Sequence, residues 1–585
     1  MLSSARNKFL NITFIDGRNT NPFRLYLNFL FMDRRHFVRL SGTACASLLL
    51  SRVTYAAGNN RLINIPDEAS AETDAGWMQL KKSHYNVFSL NGVEVTALQT
   101  NDGSKVVVRS PNVKLKNIKF KWNYQVKSTA KSLGDSWERI YGDAGWASPS
   151  ASAKNPWYAL INDDRHTACF GVKTGCNAIC WWELKPDALE LTLDTHSGGV
   201  GVELGDRPLV AADIISTGSY AEESPFATAK RFCAMMCEKP LLPKQPVYGI
   251  NDWYYAYGNN SAELIKKLTG TMVELATDTN NRPFSVIDAG WAQYSPYLPG
   301  DGGWADDFSK PNDKFKDMHR IADDIKALSM RPGLWTRALC ARYNDDAKLL
   351  LPKIKGRDDP KNPVLDPTIP ENIERVKHNI ALYKQWGYEL VKHDYSTYDI
   401  TGRWGFQMTD GITELGWHFN DKSKTTAEVI KHLYDAIRES AGEMYLIGCN
   451  TMSHLSAGIF EMNRIGDDTS GKEWARTRKM GVNAMGFRMP QHNTFYAVDG
   501  DCVGLTTAVP WEKNKQWTQL LAESSAPLFI SAQPEALGAD QRTFIKQCFA
   551  QAAKVQPVGE PLDWIDNPLP ARWKLNNREV TFNWD

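Results

Sequence analysis

The stretch Trp386 to Tyr395 reads WGYELVKHDY. It predicts a buried strand over Tyr388 to Lys392, with a lysine at its end and a carboxylate two residues on. Lys392 and Asp394 both follow the apolar pair Leu390 and Val391. A charge pair at the exit of a buried strand is costly unless it has a partner or a task. Two readings stand side by side. One is an ordinary strand-end salt bridge, and the other is one wall of an active site. Between the two charges, His393 points the opposite way in an ideal strand, so it is expected to pack rather than react.

Working outward, apolar strands alternate with amphipathic helices. The strand expectations are Val247–Ile250, Phe284–Ile287, Pro332–Trp335, Tyr388–Lys392, Met444–Gly448, Gly458–Met462, Ala484–Phe487 or the nearby Phe495–Val498, and Leu528–Ser531. Helix-like runs lie at Ser261–Asp278, Phe315–Leu328, Pro370–Trp386, Thr426–Ser440 and Glu473–Gly481. This rhythm suits an α/β chain with a (β/α)8 TIM barrel. A doubly wound sheet is the alternative, but no Gly-rich dinucleotide or P-loop fingerprint follows a strand.

Before the barrel, Arg61 to Leu241 favours short strands with Gly and Pro punctuation, read as an antiparallel β-sandwich. Ser128 to Tyr158 reads as a long decorating loop, and KPLLPKQP at Lys239–Pro246 as a stiff linker. The last stretch, from Gln556, returns to turn and strand character and ends in a strand over Val580–Trp584, a short C-terminal β segment. The expected division is 1–57, 58–242, 243–555 and 556–585. At the front, Met32 begins MDRRHFVRLSGTACASLLLSRVTYAAG. Paired arginines, an interrupted apolar run and Ala56–Ala57 resemble a twin-arginine export signal, which implies a periplasmic or extracellular destination. The apolar run is too short for a membrane span, and no later segment reads as one.

Composition is permissive. The 585 residues carry a formal net charge of +1, which exerts no long-range pull on nucleic acid. The 20 Trp residues suit sugar binding and a β-rich core equally. The ten cysteines lack zinc-ligand spacing and read as buried free thiols. Oligomeric state is left open.

In a barrel the residues after each strand converge on one face. Here they are Asn251, Asp252 and Trp253; Asp288, Gly290 and Trp291; Trp335 and Arg337; Lys392 and Asp394; Cys449 and Asn450; Asn463, Arg464, Asp467 and Asp468; Asp499 and Asp501. Paired carboxylates perform acid and covalent work on glycosidic bonds. An adjacent cation favours an ionised nucleophile, which fits Asp394 beside Lys392. The partner acid keeps its proton near like charge or away from solvent, which fits Asp468 near Asp467, Asp499 and Asp501. The same carboxylates suit a divalent metal in a hydrolase or isomerase. His393, His454 and His492 are isolated, however, and no metal or cofactor is expected. A third reading is a non-catalytic carbohydrate-binding protein that keeps the aromatic residues but misplaces a carboxylate.

These motifs resemble the melibiase-type α-galactosidases, glycoside hydrolase families 27 and 36, with the sandwich-then-barrel order nearer the second. VKHDY at Val391–Tyr395 is similar to the family's K-x-D segment. The resemblance implies Asp394 as nucleophile and Lys392 as a sugar contact. RIGDDT at Arg464–Thr469 resembles its R-x-x-x-D segment, which implies Asp468, rather than Asp467, as acid/base and Arg464 as a substrate contact. VDGDC at Val498–Cys502 is similar to the family's DPDC pattern, with Gly500 where proline is usual, and implies Asp499 and Asp501 in the pocket. YLIGC at Tyr445–Cys449 and Gly333–Trp335 resemble its fifth and third strands. The chain departs from the family at Ala289, where a second aspartate is usual after Asp288, at Ile250, where tryptophan is common, and at Asn450–Met452. The resemblance thus implies a retaining α-glycosidase for an oligosaccharide, polysaccharide or glycoconjugate, with an altered glycone pocket. The expected sugar contacts are Asp252, Trp253, Asp288, Trp291, Trp335, Lys392, Cys449, Asn450, Arg464, Asp499 and Asp501.

Overall fold

The computed structural model describes residues 60–278, 280–294, 305–358 and 362–585. The export-signal reading from Met32 lies outside the described residues. Within WGYELVKHDY, the helix Pro370–Gln385 ends first. The N–H groups of Trp386, Gly387 and Tyr388 donate back to Leu382, Lys384 and Tyr383 carbonyls. Gly387 takes φ +91°, a conformation glycine accepts without strain. Because Tyr388 still caps the helix, the strand starts later than expected, and it runs through Asp394.

That strand is the fourth of nine short parallel strands: β1 Tyr248–Asn251, β2 Phe284–Ile287, β3 Arg331–Arg337, β4 Leu390–Asp394, β5 Tyr445–Gly448, β6 Met462–Arg464, β7 Ala497–Asp499, β8 Cys502–Leu505 and β9 Leu528–Ala532. Their order in the sheet is 7-6-5-4-3-2-1-9-8. The strands are buried on both faces, as a parallel sheet requires. Inside the curl sit Phe284, Val286, Leu390, Tyr445, Ile447, Met462 and Phe529. Outside lie the helices Ala262–Val273, Met318–Ala327, Pro370–Gln385, Thr426–Ala441, Trp511–Glu523 and Ala539–Ala552.

The sheet curls, but its ladder is not continuous. Its two edges, β7 and β8, are consecutive pieces of chain separated by Gly500 and Asp501. Asp501 sits at φ +74°, and its N–H donates to Asp499 Oδ1 at 3.0 Å rather than across the sheet. Two other expectations shift. The strand expected at Gly458–Met462 begins only at Met462, because the turn Ser453–Ser456 still holds the N–H groups of Ile459 and Phe460. Ala484–Phe487 lies in the helix Asn483–Arg488, so the seventh strand is the alternative around Phe495–Val498.

Residues preceding β1 form a six-stranded and an eight-stranded antiparallel sheet. Strand Leu115–Asn123 alternates buried and half-buried residues, so one face enters the core. The two sheets meet where Phe170 of one packs on Trp182 of the other, ring centroids 6.0 Å apart. The all-strand expectation omits the helix Pro225–Met236, which is N-capped by Ser224. The proline-rich segment Lys239–Pro246 is tied down: Lys244 N–H donates to the Tyr445 hydroxyl and Asn281 Nδ2 to the Pro246 carbonyl. The described residues from Asn60 onward form a compact unit with a shared core running through both parts. No helix among the described residues is long and apolar enough to cross a membrane.

The C-terminal segment is a three-stranded antiparallel sheet, Glu560–Pro561, Arg572–Leu575 and Arg578–Thr581. Trp573 is fully buried and donates its indole N–H to the Pro570 carbonyl at 2.7 Å. Phe582 stacks on Trp584, which stacks on Trp474 of the main body. Trp573→Ala is expected to cost about 3–5 kcal/mol of stability by leaving a cavity. Chemical denaturation measures this, and a loss below about 1 kcal/mol would show that the segment is an appendage.

Candidate active site

Strand register sets the heights of the side chains. Ile287 pairs with Leu334, and Trp335 pairs with Lys392. Asp288, one residue beyond Ile287, is therefore level with Lys392 two strands away. Alternate strands share a side-chain layer inside a curled parallel sheet. Lys392 Nζ accordingly donates to Asp288 Oδ2 at 2.7 Å, and both side chains are nearly inaccessible to solvent. The expectation that Lys392 holds Asp394 is corrected here: Asp394 lies one layer higher, level with Arg337.

Asp288 accepts three hydrogen bonds. Asn251 Nδ2 also donates to its Oδ2 at 2.8 Å, and Ala289 N–H donates to its Oδ1 at 2.9 Å. Beneath it, Asp252 accepts from Asp288 N–H at 2.7 Å and from Asn260 Nδ2 at 2.6 Å. Burial first, and then the charge of Asp288, push the Asp252 carboxyl up to about 7.

Asp394 stands at the mouth, half-buried. Its Oδ2 accepts the Trp335 indole N–H at 3.1 Å, and its Oδ1 accepts the N–H of Tyr395 at 2.8 Å. Tyr395 adopts φ +67°, an uncommon conformation for a bulky residue and a form of strain that concentrates at functional sites. Trp335 is itself fixed by Trp291, whose indole N–H donates to the Trp335 carbonyl at 2.8 Å. His393 faces the other way, against Tyr434 and Phe460, as expected. Burial pushes its pKa down to about 3, so it is neutral.

Asp468 completes the cavity wall, its side chain 41% exposed. Arg464 Nη1 approaches it at 3.2 Å and Arg139 Nη1 at 3.9 Å. Partial burial works to raise its pKa, but Arg464, Arg139 and Lys392 outweigh that and hold it below the ordinary carboxylate range. The expectation that neighbouring acids keep Asp468 protonated is therefore corrected: Asp499 and Asp501 are themselves engaged by Arg464, at 3.4 and 2.7 Å. Asp467 is held away by Arg139 at 3.1 Å and Arg476 at 2.8 Å.

Trp253, Asp288, Trp335, Lys392, Asp394 and Asp468 line one cavity of about 270 Å³. Tyr257, Gly258, Ala289, Gly290, Tyr294, Phe308, Arg337 and Tyr395 complete its described wall. The other expected contacts lie behind it. Asp252 and Trp291 support the wall as described above. Arg464, Asp499 and Asp501 line a small void deeper in the curl. Cys449 is buried, and Asn450 donates to Glu138 while accepting from Tyr398 N–H at 3.0 Å. Among the described residues, no group of three or more His, Cys, Asp or Glu is arranged to hold a metal ion.

Arg139 and Glu138 were absent from the sequence expectations. They come from Ser128–Tyr158, the segment read as a decorating loop. Ile140 N–H donates to Ile465 O at 2.8 Å, and Asp467 N–H donates to Ile140 O at 3.0 Å, a single parallel rung between the antiparallel part and the parallel sheet. The local signal was the charged pair within an apolar setting, Trp137-Glu138-Arg139-Ile140.

The Asp252 shift has a thermodynamic sign. Its folded pKa lies above the unfolded value of about 4, so folding takes up a proton between the two. That stabilisation is complete below about pH 4 and is lost as pH rises through about 7. Asp252→Asn is expected to lose less melting temperature than the parent between about pH 5 and about pH 8. Parallel melting curves in both proteins would contradict the assignment.

No protein-family model matches the chain, and no curated protein matches it. Solved structures do. TtGalA, an α-galactosidase from Thermus thermophilus in complex with p-nitrophenyl α-D-galactopyranoside, aligns at TM-score 0.57 and 15% identity over 88% of this chain and 99% of that one. The GH36 α-galactosidase AgaA from Geobacillus stearothermophilus aligns at TM-score 0.55 and 11% identity over 87% of this chain and 79% of that one. The galactosidase domain of AgaSK, an α-galactosidase-sucrose kinase, gives 0.53 and 14% over 84% and 74%. At these identities the likeness is one of fold: the chain has an α-galactosidase-like fold of the GH36 type, with a curled parallel sheet and antiparallel sheets.

Proposed function

We propose that the protein is a retaining α-glycoside hydrolase acting on terminal α-galactoside-like sugars by double displacement. The observation that carries this reading is that Asp394 and Asp468 line a single cavity. Asp394 is oriented by two neutral N–H donors and is the nucleophile. Its free lone pair attacks the anomeric carbon as the bond to the leaving oxygen breaks. Asp468 gives that oxygen its proton, then takes one from the water that cleaves the glycosyl-enzyme ester. Two inversions leave the anomeric configuration unchanged.

The Lys392–Asp288 pair forms the floor on which the sugar hydroxyls rest, and Trp253 and Trp335 offer aromatic walls. TtGalA has been solved with stachyose, and an AgaA variant with raffinose, which supports an α-galactosyl oligosaccharide as the substrate class. Ala289 places a methyl beside Asp288 where the resembling family has a carboxylate, so tolerance of glycones other than galactose is part of the reading. So are export through the signal at Met32 and a separate sandwich, barrel and C-terminal segment. We also read the curled sheet as a (β/α)8 barrel whose seventh strand is β7 and β8 together, broken at Gly500 and Asp501.

Asp394→Asn is expected to lower kcat on aryl α-galactosides by on the order of ten-thousandfold. Retention of most of the activity would remove Asp394 from the chemistry. In the free enzyme the acid step needs a protonated Asp468, whose pKa Arg464 and Arg139 depress. The alkaline limb of kcat/KM is therefore expected on the acid side of neutrality. Arg139→Met is expected to move that limb to higher pH, because one cation is withdrawn. A limb that stays in place, measured on an unactivated disaccharide, would show that another group donates the proton.

A further inference from the structure

A second cleft lies away from the catalytic cavity, between the six-stranded sheet and the barrel segment Met408–Gly416. Its volume is about 490 Å³, larger than that of the catalytic cavity. The two sides are built against each other. Gly199 N–H donates to Trp417 O at 2.9 Å, and Gly416 N–H returns a bond to Gly199 O at 3.0 Å. A Cβ on Gly199 would lie 2.2 Å from the Glu414 carbonyl oxygen, so the backbones touch with no room for a side chain.

The walls combine indole surface with polar groups of both signs. Trp77, Trp137 and Trp181 line the cleft. Trp77 is 48% exposed, on the strand Gly76–Gln79 at the edge of the sheet. Trp137 and Trp181 meet edge to face at 5.9 Å, and Lys154 Nζ stands over the Trp181 ring at 4.8 Å. Glu72, Asp74, Asp194 and Asp410 supply acceptors, while Lys116, Lys154 and His196 supply donors. Several of these already pair, Lys116 with Asp74 at 3.0 Å and His196 with Asp194 at 2.8 Å.

Two lining residues hold polar atoms with no partner among the described residues: the Asn117 carbonyl oxygen and the Trp181 indole N–H. Both atoms lie closed to solvent behind the cleft wall, so the groups that face a ligand are the half-exposed Trp77 and the polar side chains around it. Paired charges of both signs disfavour a strongly anionic or cationic ligand. The half-exposed Trp77 indole, set among donors and acceptors, fits the alternating C–H and hydroxyl surfaces of a sugar chain.

We propose that this cleft binds a neutral oligosaccharide and so gives the sandwich side of the molecule a carbohydrate-anchoring role separate from hydrolysis. This role does not depend on the catalytic reading. Aryl α-glycoside turnover reports the catalytic cavity, and oligosaccharide binding by the cleft variants reports the cleft.

Isothermal titration of the full chain carrying Asp394→Asn, with stachyose, maltoheptaose and xylohexaose as separate probes, tests the proposal. At least one probe is expected to bind at a site that Trp77→Ala and Asp74→Ala weaken by about tenfold or more. Both positions are exposed, so these variants are expected to fold, and melting temperature checks that they do. In the otherwise unaltered protein, the same substitutions are expected to leave aryl α-glycoside turnover unchanged. Absence of binding by all three probes, or binding that both substitutions leave intact, overturns the proposal.

Discussion

The ion pair between Lys392 and Asp288 organises the cavity end of the sheet. At 2.7 Å and out of contact with solvent, neither charge could remain without the other. The pair exists because β2 and β4 present side chains to the same interior layer. Its satisfaction propagates outward: Asp288 also takes Asn251 and the Ala289 N–H, and its own N–H is taken by Asp252. Replacing either partner by a neutral group would strand a charge in the middle of the sheet. What the cavity presents to a ligand is therefore a floor with little freedom to rearrange, which is the condition for electrostatic preorganisation.

A second charged knot does different work. Arg464, almost wholly buried, faces Asp468, Asp499 and Asp501 together. Three carboxylates against one guanidinium would leave excess negative charge, and Arg139, arriving from the antiparallel part of the chain, reduces it. Asp468 is thus the exposed member of a cluster whose other acids are anchored. Asp394 has no such cluster and is held by neutral donors. The two cavity carboxylates differ in their surroundings far more than in their chemistry.

Much of this was legible in the sequence, and what was not has identifiable causes. Strand positions followed from apolar runs between helical runs, and β2, β5 and β9 were found within a residue of their expected bounds. The sixth strand starts late because the turn at Ser453–Ser456 still holds the N–H groups of Ile459 and Phe460, and Ala484–Phe487 is helical because its apolar residues suit a helix as well as a strand. Asp394, Asp468, Lys392 and Trp335 were legible as residues of the strand ends. The partner of Lys392 was not, because adjacency in sequence suggests Asp394 while the layer geometry selects Asp288. Arg139 was hidden further, since nothing in a Trp- and Ser-rich loop announces which distant carboxylate it will meet. The proline-rich Lys239–Pro246 read as a spacer for want of visible partners, yet its backbone is bound to Tyr445 and Asn281.

The single parallel rung joining Ile140 to the Ile465–Asp467 segment bears on how such a chain can diversify. It sets the backbone immediately before Asp468 from outside the parallel sheet. A parallel sheet recombined with a different leading segment would keep its strands, its ion pair and its carboxylates, but it would lose the brace and the guanidinium that arrive together on Glu138–Tyr141. The antiparallel part is thus not an interchangeable module. Its inheritance is tied to that of the sheet it touches, and a change at Arg139 would be felt in the proton affinity of Asp468.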